Sequence, residues 1–201
     1  MIAIIDYDAG NIKSVEKAMH YLGQDAIITR DHEALLSAER VILPGVGAFG
    51  DAMDKLKKYG LVDDIKQIVK KGTPFLGICL GLQLLFESSE ESPGVEGLGI
   101  LSGQIVKFPQ KDGFKVPQIG WNSLDFTKES RLFKGVCDGA YVYFVHSYYL
   151  KAQNDDDVAA RCRYNVCFDA AIEHENVFAC QFHPEKSSDV GLMILKNFTE
   201  I

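Results

Sequence analysis

The stretch from Pro74 to Phe86 constrains the fold more than any other part of the chain. Residues Phe75–Ile78 form an apolar run of strand length, and Leu82–Phe86 carries apolar residues that suit a buried helical face. Between them, glycines stand two residues before and two residues after Cys79. Such glycines allow unusual backbone angles and close packing of a strand against a helix. The spacing predicts a sharp strand-to-helix turn with a cysteine at its apex, as at the nucleophile of many hydrolases.

Two interpretations of Cys79 follow from this turn. At the start of a helix, a thiolate meets free backbone N–H groups and the positive end of the helix dipole, which lower its pKa and favour a nucleophilic role. The alternative is an inert core cysteine, because free cysteine is among the most buried residue types. The pentapeptide around Cys79 leaves both interpretations open.

Strands and helices alternate through the first half of the sequence, which predicts a parallel sheet with helices on both faces. The predicted strands are Ile2–Asp6, Ala26–Thr29, Arg40–Leu43 and Phe75–Ile78. The predicted helices are a segment capped by Asn11 and ended by Gly23, a segment from an Asp31 cap to Ser37, Phe49–Lys58 and Leu61–Lys71. Ligands bind at the carboxyl ends of strands in such sheets, where Gly45–Gly47 and Cys79 both fall.

The second half of the sequence is predicted to be mainly β-structure with short turns. Its predicted strands are Gln104–Phe108, Ser123–Phe126, Tyr141–Ser147, Val158–Arg163, Ala170–Glu173 and Val177–Phe182, followed by a last helix capped by Ser187 or Ser188. We therefore expect an α/β fold of three layers, with a mostly parallel central sheet flanked by helices and an antiparallel β extension. The length of 201 residues suits one domain spanning residues 1–201.

His183 and Glu185 follow the last predicted strand. Pro184 biases His183 toward extended geometry, and residues two apart in an extended segment point to the same side. The pair can therefore face one pocket, as a Cys-His-acid triad requires. The alternative is a surface turn with a solvated glutamate and a half-buried histidine. Among the other histidines, His146 inside an aromatic strand is the only rival for the role of base.

A nucleophilic thiol also needs an oxyanion hole, and backbone N–H groups serve well because they need no reorganisation during the reaction. The residue after the nucleophile, Leu80, supplies the first donor at such a turn. The Gly45–Gly47 turn is the obvious source of the second donor. Its glycines equally suit a plain tight turn, so spacing does not decide between the two interpretations.

Composition excludes several classes of function. The net charge of −7, with no basic run, argues against a nucleic-acid-binding protein, and no apolar stretch reaches membrane-spanning length. The five cysteines form no Cys-x-x-Cys pair and have no clustered histidines, so no metal site is expected. No phosphate-binding or dinucleotide motif is present, so no cofactor is expected either. An odd cysteine count without a signal-peptide pattern favours reduced thiols in a cytoplasm.

The combination of Gly77-x-Cys79-x-Gly81-x-Gln83 with His183-Pro184-Glu185 resembles class I, triad-type glutamine amidotransferases. Further segments resemble one branch of that family, the glutaminase subunits of imidazole glycerol phosphate synthases of histidine biosynthesis. Those segments are Asp6–Asn11, Pro44–Gly50, Pro117–Asn122, Phe144–Tyr148 and Gln181–Ser187. The resemblance covers essentially the whole chain. Two departures from the family pattern, Asp8 for a frequent Gly and Leu82 for a frequent Met, do not touch the triad.

The resemblance implies hydrolysis of L-glutamine to glutamate and ammonia. It implies that Cys79 is the nucleophile, His183 the general base and then acid, and Glu185 the orienting carboxylate. The N–H groups of Leu80 and Gly47 would hold the oxyanion. The implied substrate-binding residues are Gln83, Glu91, Ser147 and Tyr148. Apart from the resemblance, Glu91 equally fits one solvated member of an acidic run.

The resemblance also implies a partner, a (β/α)₈ cyclase subunit that uses the ammonia to make imidazole glycerol phosphate and an aminoimidazole carboxamide ribotide. Asn11, Trp121 and Lys186 match family positions at that interface, although a lone Trp also suits a core position. Ammonia released into neutral water is protonated and is no longer a nucleophile, which favours a docked acceptor. The isolated subunit would be nearly silent, with the partner reorienting the Gly45–Gly47 turn.

Three competing interpretations remain at this level. One is a different class I amidotransferase, such as the glutaminase of pyridoxal phosphate synthase. That family carries a Gly-Gly-Glu-Ser type loop where this chain has Pro44–Phe49. The second is a stand-alone cysteine hydrolase, which would be active without a partner on substrates other than glutamine. The third is a scaffold with an inactive amidotransferase fold, which an intact Cys79, His183 and Glu185 argue against.

Overall fold

The computed structural model describes residues 1–201 and has a mixed α/β architecture. Six α-helices have the bounds α1 Ile12–Tyr21, α2 His32–Ser37, α3 Phe49–Lys58, α4 Leu61–Lys70, α5 Leu80–Leu84 and α6 Ser188–Glu200. None of these helices combines the length and the apolar character needed to cross a membrane.

Thirteen strands accompany the helices. Their bounds are β1 Ile2–Ile5, β2 Ala26–Thr29, β3 Arg40–Gly45, β4 Phe75–Cys79, β5 Ser88–Ser89, β6 Gly103–Lys107, β7 Gln118–Ser123, β8 Asp125–Phe126, β9 Tyr141–His146, β10 Tyr148–Ala152, β11 Val158–Arg163, β12 Cys167–His174 and β13 Val177–Cys180.

The main sheet confirms the predicted fold class. Its parallel part has the order β2-β1-β3-β4-β13, and its antiparallel part continues through β12, β10 and β6. Strands β7 and β9 form a separate two-stranded antiparallel sheet. Strand β13 is the last in sequence but lies directly beside β4, with Ala179 opposite Gly77. This pairing brings the end of the chain beside the Cys79 turn.

Two hydrophobic cores lie on opposite faces of the sheet, because successive residues of a strand point to opposite sides. Ile4 of β1 and Ile78 of β4 belong to the core that also contains the buried residues of α1 and α6. Ile5 and Phe75 belong to the other core, which contains the buried residues of α3 and α4. The central strands therefore have apolar residues on both faces, as parallel sheets in such folds do.

Several predicted elements in the first half have the observed bounds. Strand β2 and helices α2 and α3 agree with the sequence prediction, and the Asp31 side chain accepts the N–H of Ala34 as an N-cap. Helix α4 ends one residue earlier than predicted, at Lys70. The apolar segment after Cys79 forms only the five-residue helix α5.

The second half departs from the prediction at several strands. The predicted strand Ser123–Phe126 is only Asp125–Phe126 (β8), the predicted strand Ala170–Glu173 extends over Cys167–His174 (β12), and the predicted strand Val177–Phe182 ends at Cys180 (β13). Strand β7 was not predicted over Gln118–Ser123, and the predicted strand Tyr141–Ser147 is instead β9, followed after Ser147 by the unpredicted β10. Strand β7 has exposed or half-buried residues at most positions, so it lacks the clean alternation that marks a strand. Strand pairing, rather than local pattern, defines both elements.

Candidate active site

The cysteine turn has the predicted form. Strand β4 ends at Cys79, helix α5 begins at Leu80, and Cys79 has φ 56° and ψ −109°. Positive φ is rare for a residue with a side chain and persists only where the surroundings enforce it. A Cβ on Gly81 would lie 1.8 Å from the carbonyl oxygen of Leu43, and one on Gly77 would lie 2.8 Å from the carbonyl oxygen of Gly81. Both glycines are therefore required by close backbone approach.

His183 and Glu185 meet as expected, although the backbone between them differs from the prediction. His183 is extended, with φ −100° and ψ 96°, but Glu185 lies in a 3₁₀ turn over Pro184–Lys186. Nδ1 of His183 lies 2.8 Å from Oε1 of Glu185, and both side chains are almost fully buried, at 2% and 0% exposure. The surface-turn alternative for this pair is wrong.

Cys79 and His183 line the same cavity, which has a volume of about 300 Å³. Nε2 of His183 is buried and has no hydrogen-bond partner in the protein, so this nitrogen is available for proton transfer. Burial lowers the pKa of His183, but the adjacent Cys79 sulfur and the Glu185 carboxylate outweigh it and raise this pKa to about 10. The charges therefore favour the protonated, imidazolium form of His183.

His146, the rival base, is held in a structural role. Its Nδ1 lies 2.8 Å from the carbonyl oxygen of Tyr148, and its Nε2 lies 3.2 Å from the Gln118 side-chain amide. Burial, with a smaller contribution from nearby His183, lowers the pKa of His146 to about 4. The ring is therefore neutral at pH 7, and both of its nitrogens are occupied.

The cavity brings together every residue that was expected to form the oxyanion hole or to hold substrate. These residues are Gly47, Leu80, Gln83, Glu91, Ser147 and Tyr148, and the cavity is also lined by Val46, Pro117, Val145 and His146. The volume is at the small end of the range for ligand sites, which suits a ligand of amino-acid size. Gly47 has φ 102°, and a Cβ there would have no neighbour within 4 Å.

Glu91 has a structural contact that the sequence did not reveal. Its Oε2 accepts the N–H of Phe49 at 2.9 Å, and the neighbouring Ser92 Oγ accepts the N–H of Gly50 at 3.0 Å. Ala48, the N-cap residue of α3, has no side-chain acceptor, so the Glu91–Ser92 segment supplies the acceptors. Glu91 therefore fixes the start of α3, directly after the Gly45–Gly47 turn, while also lining the cavity.

The predicted interface residues lie in different environments. Trp121 is 52% exposed on β7, close to exposed Ile119 and Tyr141 of the β7–β9 sheet, so the alternative of a core Trp is wrong. Lys186 is exposed at the end of the 3₁₀ turn. Asn11 was expected to cap α1, but its side chain makes no cap hydrogen bond and donates instead to Oε1 of Glu185 at 2.8 Å.

Two further residues at the site escaped the sequence reasoning. Gln181 is fully buried, and its Nε2 lies 3.8 Å from Sγ of Cys79. Tyr7 is also buried, its hydroxyl has no partner, and a Cβ on Gly45 would lie 2.3 Å from that hydroxyl. Burial raises the pKa of Tyr7, and the charge of nearby Cys79 adds to the rise. A polar residue inside the predicted apolar strand Val177–Phe182, as at Gln181, was the signal available in the sequence.

Comparison with known proteins agrees with this geometry. The family model described as "Glutamine amidotransferase class-I" matches residues 3–201. The chain belongs to the class I glutamine amidotransferase family.

Within that family, the relatives are named "Imidazole glycerol phosphate synthase subunit HisH". The protein of Caldanaerobacter subterraneus subsp. tengcongensis is 52% identical over 201 residues, covering 100% of this chain and 98% of the relative. The protein of Methanothermobacter thermautotrophicus is 50% identical with the same coverage. The protein of Methanocaldococcus jannaschii is 48% identical and is covered completely, as is this chain.

Solved structures share the fold at low sequence identity. A glutamine amidotransferase structure has a TM-score of 0.76 at 20% identity and covers 99% of this chain and 100% of its own. The PurLQS structure from Thermotoga maritima has a TM-score of 0.75 at 18% identity, with 99% and 97% coverage. These similarities concern the fold alone.

Proposed function

We propose that this protein is the glutaminase subunit of an imidazole glycerol phosphate synthase, acting in histidine biosynthesis. Residues 1–201 would form one glutamine amidotransferase type 1 domain. The observation that carries the proposal is the buried His183–Glu185 pair beside Cys79, with the free Nε2 of His183 in a cavity shared with the sulfur. The family and its full-length HisH relatives identify glutamine as the matching substrate.

In the proposed reaction, the Cys79 thiolate attacks the side-chain amide carbon of glutamine. The carbonyl electrons move to oxygen, and the N–H groups of Leu80 and Gly47 stabilise the resulting oxyanion. Protonated His183 gives its proton to the departing nitrogen, which leaves as ammonia and produces a thioester. His183 then takes a proton from water, whose oxygen attacks the thioester. Collapse of this second intermediate releases glutamate and restores the thiolate–imidazolium pair.

The cavity walls suit the two ends of the proposed substrate. The Glu91 carboxylate offers charge-assisted hydrogen bonds to the substrate ammonium. Gln83 uses its Nε2 inside the protein, which leaves its Oε1 as an acceptor for substrate N–H groups. Ser147 and Tyr148, at the break between β9 and β10, would contact the substrate backbone. Hydrolysis by thiol, imidazole and water needs no metal or cofactor.

The partner of the proposed complex is a cyclase subunit with a (β/α)₈ barrel, which receives the ammonia. The relatives are named as subunits, which supports an assembled enzyme. Trp121, Ile119 and Tyr141 form an exposed apolar patch on the β7–β9 sheet, the kind of surface that a stable partner covers. Lys186 and Asn11 are the further proposed interface residues. Five free cysteines suit a cytoplasmic location.

A glutamine-analogue electrophile tests the nucleophile. We expect the analogue to label Cys79 in the assembled complex and to leave a Cys79→Ala variant unlabelled. Cys79→Ser and His183→Ala should abolish synthesis from glutamine but preserve synthesis from added ammonia by the partner. Loss of ammonia-dependent synthesis as well would show that the proposed division of labour is wrong.

Activation by the partner is a separate part of the proposal. Glycines on both sides of Val46 lower the energetic cost of a peptide flip. The partner and its ligand could therefore turn the Gly47 N–H toward the oxyanion. We expect glutaminase turnover to rise when cyclase and its nucleotide ligand are added to the isolated subunit. Equal rates under the two conditions would exclude this gating.

A further inference from the structure

Gln181 lies immediately after β13 and two residues before His183, and its side chain is inaccessible to solvent. Its Nε2 is 3.8 Å from Sγ of Cys79, within hydrogen-bond range for sulfur. Its Oε1 accepts from Nε2 of Gln83 at 3.0 Å. A buried amide usually satisfies its hydrogen bonds with neighbouring polar groups, and here one of those groups is the proposed nucleophile.

The Tyr148 carbonyl, at the end of this hydrogen-bond chain that is remote from the sulfur, determines which group donates in each hydrogen bond. The backbone carbonyl of Tyr148 can only accept a hydrogen bond, so the Gln83 amide at 3.2 Å must present its NH₂ group. That NH₂ group also faces Gln181, which must therefore present its oxygen to Gln83. The NH₂ group of Gln181 is then left facing the sulfur, and the reversed orientation would bring two NH₂ groups together.

We propose that Gln181 is a catalytic residue that donates an N–H hydrogen bond to the Cys79 sulfur and stabilises it as a thiolate. The inference rests on the proposed glutaminase function and adds a specific residue to it. The hydrogen bond is strongest when the sulfur is negative. It weakens as the sulfur electron pair forms the C–S bond of the thioester, and it strengthens again when that bond breaks and the pair returns to sulfur. Gln181 thus assists the departure of the thiolate in the second half of the reaction.

Gln181 differs from the other groups around the sulfur because it does not titrate. His183 carries the proton that the thiol gives up, and the buried thiol of Cys180 and the hydroxyl of Tyr7 lie close enough to be affected by the Cys79 charge. Glu91 lines the same cavity. Among these groups, only the Gln181 amide offers a neutral N–H that is present at every pH.

The pH dependence of Cys79 alkylation by iodoacetamide tests this role, with the modified peptide quantified by mass spectrometry. Gln181→Met removes the donor, and Gln181→Glu keeps an acceptor for Gln83 but turns an oxygen toward the sulfur. We expect both variants to raise the midpoint of Cys79 alkylation by about one pH unit or more relative to the wild type. The exposed Cys137 and Cys167 serve as internal controls in the same sample, and the midpoints of their alkylation should not change between variants.

Unchanged Cys79 midpoints in both variants, or a rise in Gln181→Met alone, would overturn the proposal, because the effect would then follow Gln83 rather than the sulfur. A measurement on the unmodified Gln181 covers the case in which the variants do not fold. In ¹⁵N-glutamine-labelled protein, the side-chain N–H resonances of Gln181 should shift as the thiol titrates, and should not do so in Cys79→Ala. Side-chain N–H chemical shifts of Gln181 that do not change as the thiol titrates in the native protein would overturn the proposal as well.

The alkylation experiment needs neither glutamine nor a partner, so its failure is distinct from failure of the proposed function. A wild-type complex without glutaminase turnover would overturn the proposed function, while the alkylation midpoints would still report on Gln181. An active complex with unchanged midpoints would overturn only the role of Gln181. In an active complex, both variants should lower the glutaminase kcat more than they raise KM.

Discussion

At the residue scale, Glu185 determines which nitrogen of His183 is available for chemistry. Its Oε1 accepts hydrogen bonds from Nδ1 of His183 and from the side-chain NH₂ of Asn11, each at 2.8 Å. Nδ1 is thereby held as the N–H nitrogen, and Nε2 is left toward the cavity without a partner. Asn11 thus orients the carboxylate that orients the ring, a role that its position before α1 did not suggest.

The pKa of His183 gives a prediction at this scale. Cys79→Ala removes the sulfur that raises this pKa but leaves the ring buried, so the pKa should fall by about one unit or more. Long-range ¹H–¹⁵N NMR of the imidazole measures it directly. His146, whose pKa is lowered mainly by burial, provides the internal control. An unchanged pKa of His183 in Cys79→Ala would contradict the proposed thiolate–imidazolium pair.

The same pKa has a consequence for stability. Folding raises the pKa of His183 from its usual 6.5 to about 10, so the folded state binds the proton more tightly than the unfolded state. The resulting stabilisation is fully present below pH 6.5 and is lost as the pH rises through about 10. The free energy of unfolding, compared with that of His183→Gln, should therefore decline across this interval in denaturant titrations.

At the element scale, the site depends on close contact between α5 and the ends of β3 and β4. Gly81 at the start of α5 touches the Leu43 carbonyl of β3, and Gly77 of β4 touches the Gly81 carbonyl. Helix α3 is held at its beginning by Glu91 and Ser92 from the segment after α5. The cysteine turn therefore packs against the end of β3, which leads into the proposed oxyanion turn. The segment after α5 in turn holds the helix that follows the oxyanion turn.

Gly81→Ala tests this packing. The new Cβ would lie 1.8 Å from a backbone oxygen, so strand β3 or helix α5 must move, and we expect a loss of about 3 kcal/mol or more in the free energy of unfolding. Gly23→Ala is the matched control, because Gly23 has φ 75° but open space around it, and only about 1 kcal/mol is expected. Similar losses in urea titrations of the two variants would contradict the steric explanation.

The elements also show where local pattern was sufficient. Asp31 at an N-cap and the helical spacing of Phe49–Lys58 predicted α2 and α3 with their observed bounds, because the signals lie within one turn of the element. The sequence predicts Ser187 or Ser188 as the cap of α6. Ser188 is the first residue of the helix, and the Oγ of Ser187, the residue before it, donates to the His183 carbonyl and accepts the Tyr143 N–H instead of capping the helix. A long-range partner replaced the local one, and sequence spacing carries no sign of that competition.

At the scale of the whole molecule, strand β9 connects the cavity with the exposed apolar patch. His146, Ser147 and Tyr148 line the cavity at the end of β9, and the same strand carries Tyr141 and pairs with the Trp121 strand. His183 also donates its backbone N–H to the Tyr143 carbonyl of β9 at 2.9 Å. A partner bound on the β7–β9 sheet would therefore contact a strand that reaches the proposed triad.

Trp121→Ala tests the proposed docking surface. Loss of a large exposed aromatic anchor should weaken binding to the cyclase subunit by ~2 kcal/mol or more, measured by isothermal titration calorimetry. The stability of the isolated subunit should change little, because the ring is half exposed. Tyr21→Ala is the control, because Tyr21 is 77% exposed at the end of α1 remote from Asn11. Equal affinity of wild type and Trp121→Ala would remove Trp121 from the interface.

The order of the early strands and helices, the cysteine turn and the His183–Glu185 pair could all be read from the sequence, since each depends on residues within a few positions of one another. The meeting of Cys79 with His183 depends on the parallel pairing of β4 with β13, between residues about a hundred positions apart. The same pairing buries Gln181 against the sulfur, and loop packing brings Asn11 to Glu185 and Glu91 to α3. These contacts form because they lower the free energy of the whole folded molecule. No single segment of the sequence contains the information that specifies them.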